Sequence, residues 1–173
     1  MLTLQGKHIY LRALEPEDLP FLYRLENDTT IWEISGTNTP YSKHVLKMYL
    51  DNAHRDIYEV KQLRLGICGI NKEVIGLIDL FDFDPMNHRA GIGIIITEDY
   101  RGKGIGEEAL SLLMDYTFST LHLRQLYANI LEGNKASIQL FKKMGFVEVG
   151  VKKDWIYTGE TYKNEILFQK IIR

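Results

Sequence analysis

The chain has 173 residues, 45% of them apolar and 25% charged, with a net charge of −2. A chain of this length buries one sizeable core, and its near-neutral balance creates no field for nucleic acid or an anionic membrane. A single cysteine, Cys68, excludes an internal disulfide framework, and the five histidines show no metal-ligand spacing.

The N-terminal stretch, residues 1–12, lacks the long apolar run of a signal peptide, and no later run approaches a membrane span. The expectation is one domain over residues 1–173, cytoplasmic and metal-free. Residues 8–14 alternate as a short strand. Glu15-Pro16-Glu17-Asp18 opens a helix, with acids at its positive end and Leu19, Leu22, Tyr23 and Leu25 on its buried face. The polar stretch 27–41, NDTTIWEISGTNTPY, reads as a loop. Ser42 caps a second helix whose apolar stripe is Val45, Leu46, Tyr49, Leu50 and Ala53. Strands over 58–69 and 74–83 flank a tight turn at Asn71-Lys72, and a third strand covers 89–97. From Ile105 the period turns helical through Ala109, Leu112, Leu113 and Tyr116. Residues 123–131 form a strand, and 134–144 form a helix stopped by Gly145. Residues 146–158 and 161–171 flank Gly159 as a terminal hairpin, whose outer edge could pair with a second subunit. The order β-αα-βββ-α-β-α-ββ predicts a mixed α/β (α+β) fold with helices covering a sheet.

Between the third strand and the next helix lies EDYRGKGIGEEA, with glycines at 102, 104 and 106. Each glycine costs about 0.5–1 kcal/mol relative to alanine, so something should need the bare backbone. A Walker loop is excluded because no GxxxxGK[ST] occurs. Gly104-Ile105-Gly106-Glu107-Glu108-Ala109 satisfies GxGxxA, which keeps a nicotinamide oxidoreductase as an alternative. That fingerprint should leave its strand directly, however, and five residues intervene here. The remaining reading is an anion cradle: the amides of Arg101, Gly102, Lys103, Gly104, Ile105 and Gly106 converge where the helix dipole is positive, with Glu107 and Glu108 facing away. The plain alternative is a capped, glycine-rich turn that binds nothing.

Arg101-x-x-Gly104-x-Gly106 after a strand, followed by NKASIQLFKKMGF from Asn134 to Phe146, resembles the GNAT superfamily of N-acetyltransferases over essentially the whole chain. Gly76-Leu77-Ile78-Asp79-Leu80, Asn87-His88-Arg89 and Asn164 resemble the branch of ribosomal-protein N-terminal and spermidine acetyltransferases. The resemblance implies a mostly antiparallel central sheet, splayed between its fourth and fifth strands. It also implies acetyl transfer from acetyl-CoA to a primary amine by direct attack in a ternary complex. The pyrophosphate would rest on the 101–106 loop. The main chain of Ile94, Ile95 and Ile96 would hold the pantetheine arm as an added strand. Asn134, Ser137, Phe141 and Lys143 would complete the cofactor side.

An alkylamine with a pKa of about 10.4 must lose a proton before it attacks. The resemblance points to Asp79 as the base, directly or through water, with Asp82 and Asp84 as alternatives. Relatives often protonate the departing thiolate with a tyrosine where this chain has Phe141, which cannot donate. Ser137, on the same helix face, is the candidate in its place, although the thiolate can also leave unassisted. Glu26, Asp28 and Glu33 could attract a cationic acceptor, and Trp32, Tyr41, Trp155 and Tyr157 could pack its stem. A polyamine, a protein N-terminus and an antibiotic or amino-sugar amine all stay open, as does a non-catalytic CoA-binding module.

Overall fold

The computed structural model describes residues 4–173; residues 1–3 of the N-terminal stretch lie outside the described residues. A seven-stranded sheet runs in the order β1-β2-β3-β4-β5-β7-β6. The strands are β1 (Ile9–Ala13), β2 (Leu63–Gly69), β3 (Val74–Asp84), β4 (Arg89–Ile96), β5 (Gln125–Leu131), β6 (Val147–Tyr157) and β7 (Tyr162–Ile171). Every neighbouring pair is antiparallel except β4 and β5. Among the described residues six α-helices accompany the sheet: α1 (Leu19–Glu26), α2 (Trp32–Ser35), α3 (Lys43–Asp51), α4 (Ile57–Val60), α5 (Ile105–Ser119) and α6 (Lys135–Lys143). This is the mixed architecture expected, including the splay. β4 and β5 pair only at residues 89–91 and 125–127, and no ladder follows from Ile92 onward.

Two apolar layers sandwich the sheet. Leu110, Leu113 and Ala109 of α5 pack with Ile78, Leu80 and Ile92, and Phe141 and Phe146 join the same cluster. On the other face Phe21, Leu22, Leu25, Leu46 and Leu50 of α1 and α3 pack against Leu77. Each fully buried Leu or Ile contributes about 1.5–3 kcal/mol by leaving water. Strand parity then fixes where one carboxylate points: Asp79 shares Leu77's face and so points toward α1 and α3. Cys68, the lone cysteine, is fully buried, and burial pushes its thiol pKa up.

Local chemistry moves several expected boundaries. Glu15 and Asp18 form a capping box around a 3-10 turn at Pro16–Asp18, so α1 starts only at Leu19. Burial alone would raise the Asp18 carboxyl, but both its oxygens accept from Arg12 at 2.8 Å and one accepts the Glu15 N–H, which holds it below its usual range. The expected strand over 58–69 is shorter. Asp56 caps Tyr58 at 2.7 Å and winds α4, and strand geometry resumes at Leu63. The 27–41 stretch is not wholly loop either, because Asp28 caps a 3-10 turn at Thr29–Ile31 that runs into α2. In α3 the buried stripe is Leu46 and Leu50. Val45 is exposed, and Ala53 lies beyond the helix end.

Among the described residues no helix is long and apolar enough to cross a membrane, and no group of His, Cys, Asp and Glu side chains could hold a metal.

Candidate active site

Where β4 and β5 part, two cavities meet. One, of about 690 Å³, opens on the α1–α3 side and is lined by Glu26, Glu33, Tyr41, Arg64, Asp79 and Glu165, among others. The second, of about 520 Å³, runs past Tyr100, Arg101, Gly102, Gly104, Ile105 and Gly106. They share Ile31, Ile34, Ile94, Ile95, Asn134 and Ser137. A passage through the sheet thus joins a glycine loop to a carboxylate-lined chamber.

The loop has the geometry of an anion cradle. Gly102 and Gly104 hold φ of 71° and 79°, and a Cβ at either would meet nothing within 4 Å. That left-handed backbone is open to glycine and strained for other residues. The N–H groups of residues 102–107 have no backbone partner among the described residues, as the first turn of α5 requires. The Arg101 N–H is already given to the Glu98 carbonyl at 3.1 Å, so the open amides begin one residue later than expected. The Arg101 side chain donates from Nε to the Ile96 carbonyl at 2.8 Å, while Lys103 turns over the Tyr100 ring. Gly106 serves packing as well: a Cβ there would lie 3.0 Å from Leu140 Cδ2 of α6. These bare amides beside Lys143 suit a diphosphate.

Two neighbouring glutamates were expected to face away, and only one does. Glu108 accepts the His8 N–H at 2.8 Å, tying α5 to the start of β1. Glu107 lines the second cavity and accepts from Lys143 Nζ at 2.7 Å.

Along β4 the hydrogen-bonding direction alternates. The Thr97 N–H donates to Ile75 O, and Ile95 O lies close against Gly76, so residues 95 and 97 turn their main chain toward β3. Ile94 and Ile96 therefore face the splay. Of the three isoleucines expected to offer main-chain contacts, Ile95 offers none; its side chain packs toward α1 and α3.

On the other side, register builds the chamber. Arg64, Asp79 and Gly93 lie opposite one another on β2, β3 and β4. Arg64 donates to both Asp79 oxygens, from Nε at 2.8 Å and Nη2 at 3.1 Å, and to Glu26 Oε1 at 3.2 Å. Its guanidinium lies 5.7 Å from the Tyr49 ring centre. Burial works against the Arg64 charge, but Asp79 more than compensates and its pKa ends above the usual arginine value. Burial also raises the Tyr49 phenol. Bare Gly93 leaves the space in front of Asp79 open.

Sequence reasoning missed Arg64, yet hairpin counting reaches it: from a two-residue turn at Asn71-Lys72, position 64 falls opposite 79. The real turn is longer, since Gly69 N–H donates to Glu73 O, and a bulge at Ile67/Cys68 restores the count.

Other expected residues fall on both sides of the line. Glu26, Glu33 and Tyr41 line the chamber. Asp28 does not; its carboxylate is spent on Thr30 N and Oγ1. Trp32 braces the loop by donating Nε1 to Glu26 O at 2.9 Å. Trp155 and Tyr157 are exposed away from it, and Ile156 lines it instead. Asp82 sits in a bulge near the Tyr127 hydroxyl, and Asp84 caps Asn87, so neither alternative carboxylate lines the cavity. Asn134 caps α6 by accepting the Ser137 N–H at 3.3 Å, which holds Ser137 where the cavities join. Phe141 touches the chamber but is 3% exposed and stacked edge-on to Phe146.

Comparison with known proteins bears on this arrangement. The profile of the acetyltransferase (GNAT) domain matches residues 8–147. Spermidine N(1)-acetyltransferase of Escherichia coli K12 is 30% identical over 158 residues, covering 91% of this chain and 83% of that one. A putative ribosomal N-acetyltransferase of Bacillus subtilis is 25% identical, over 97% of this chain and 93% of its own. Spermidine N-acetyltransferase of Vibrio cholerae, solved with CoA and spermine, superposes with a TM-score of 0.86 at 25% identity over 95% of both chains. The same enzyme solved as a dodecamer gives 0.79 at 28% identity, over 95% of this chain and 94% of that one.

Proposed function

The chain belongs to the GNAT family of acetyltransferases, which use acetyl-CoA, and from that premise we propose that it acetylates a primary alkylamine, a polyamine such as spermidine, by direct attack in a ternary complex. The observation that carries this reading is the meeting of the glycine-loop cavity and the carboxylate-lined chamber at Ser137. Acetyl-CoA supplies the activated acyl group. The amides of Gly102, Lys103, Gly104, Ile105 and Gly106, with Lys143, hold its pyrophosphate, and the main chains of Ile94 and Ile96 orient its arm.

The acceptor enters from the other side as an ammonium and must shed a proton. Asp79 accepts it through a water, a role supported by its place in the chamber wall beside bare Gly93. Arg64 takes one lone pair from each Asp79 oxygen and leaves others to hold that water. Ser137 Oγ donates to the departing sulfur, since Phe141 has no hydroxyl. A protein N-terminal amine is the second reading, favoured by Phe141 and by the likeness to the Bacillus relative. A cytoplasmic location completes the reading. So does a homo-oligomer, in line with the dodecameric Vibrio structure; the unpaired outer edge of β6 is the surface proposed for it.

The test is mass-spectrometric detection of acetylated product from acetyl-CoA with polyamines, N-terminal peptides, aminoglycosides and amino sugars. Acetylspermidine as the leading product supports the proposal. Acetylated peptide alone favours the second reading, and CoA binding with no product anywhere would leave a non-catalytic module.

A further inference from the structure

The chamber's carboxylates are held in three ways. Glu26 and Asp79 are locked by one Arg64 guanidinium, itself stacked near Tyr49, and all three charged side chains are at most 24% exposed. Glu165 accepts from Lys152 Nζ at 2.6 Å, but that lysine also donates to Asn129 at 3.2 Å and lies over the Trp155 ring. Glu33 differs from both. Its partner Lys163 makes no other side-chain contact of this kind among the described residues, and the two are 41% and 36% exposed. An exposed lysine–carboxylate pair contributes little to folding and exchanges readily with solvent. This pair also joins α2 to β7, the two elements that reach the chamber wall through Glu33 and Glu165.

Resting on the polyamine reading above, we propose that Glu33 is the specificity carboxylate for a polyamine's far ammonium, and that Lys163 stands in for that ammonium until the acceptor displaces it. A primary ammonium has the same charge and donors as Lys163 Nζ, so the exchange conserves the ion pair and returns the lysine head to water. A monoamine has no second cation to make the exchange. Discrimination by tail charge therefore resides in Glu33, and Lys163 competes against it.

The test compares kcat/KM for spermidine with kcat/KM for butylamine, a monoamine lacking the far cation. In Lys163→Met, which keeps the apolar stem, the spermidine-to-butylamine ratio should rise about fivefold; in Glu33→Gln it should fall about tenfold. Thermal melts check that both variants fold. A ratio unmoved in either variant, or moved the opposite way, overturns the proposal while leaving polyamine acetylation in place. Wild-type protein that acetylates neither amine removes the functional reading itself, and this inference with it.

Discussion

The two halves of the cleft are built from different materials. The cofactor half is main chain: six consecutive residues with open amides, next to a strand edge left unpaired by the splay. The acceptor half is side chain: Arg64, Asp79, Glu26, Glu33 and Glu165 arrive from β2, β3, α1, α2 and β7. The difference teaches what each half tolerates. Backbone amides survive most substitutions and fail only when the dihedrals change, whereas the side-chain half is open to single exchanges at its exposed member, Glu33, and is bound together at Glu26 and Asp79 by Arg64.

The largest effect should come from the acceptor half. Asp79→Asn should lower turnover at pH 7 about a hundredfold and leave acetyl-CoA affinity nearly unchanged. Raising the pH supplies neutral amine and should narrow the gap; equal turnover at pH 7 would take Asp79 out of the mechanism. In the cofactor half the signature reverses. Gly104→Val forces a β-branched residue into left-handed backbone, and calorimetry should show CoA binding weakened about thirtyfold. Normal affinity would mean the loop is not the cradle.

A smaller change sharpens the contrast. Glu107→Gln removes a carboxylate from the phosphate-side cavity and frees Lys143, so CoA should bind about threefold tighter, by the same titration. Its neighbour should instead act on stability. Burial opposes the Glu108 charge, yet the His8 and Ile9 N–H groups and the His8 ring hold its carboxyl below the usual glutamate value. A depressed folded value gives stability that is present above the unfolded value and lost as pH falls through the folded one. Glu108→Gln should therefore cost about 1 kcal/mol at pH 7, and the gap between the two melting curves should close below about pH 4.

The same division governs how much was legible in the sequence. The glycine loop and the Asn134 cap are contiguous, so short-range rules for helix starts found them. The splay between the fourth and fifth strands came from the family resemblance instead. The acceptor wall depends on pairings between distant positions. Arg64 with Asp79 lay within reach of hairpin arithmetic, but Glu33 with Lys163 joins residues 130 apart through the final packing. Capping explains the other misses. The carboxylates of Asp28 and Asp56 look free in a sequence and are committed to starting short helical turns. Ile95 fell to an alternation that only a known strand partner reveals.

The inaccessible Cys68 has a practical consequence. With the chain's one sulfhydryl sealed under the β1–β2 side of the sheet and its ionisation suppressed, a colorimetric disulfide reagent should read only the coenzyme freed at each turnover. Native protein would leave the dye colourless, and unfolding would unmask one equivalent, so the same cuvette that follows acetylation can also report how much of the enzyme is intact.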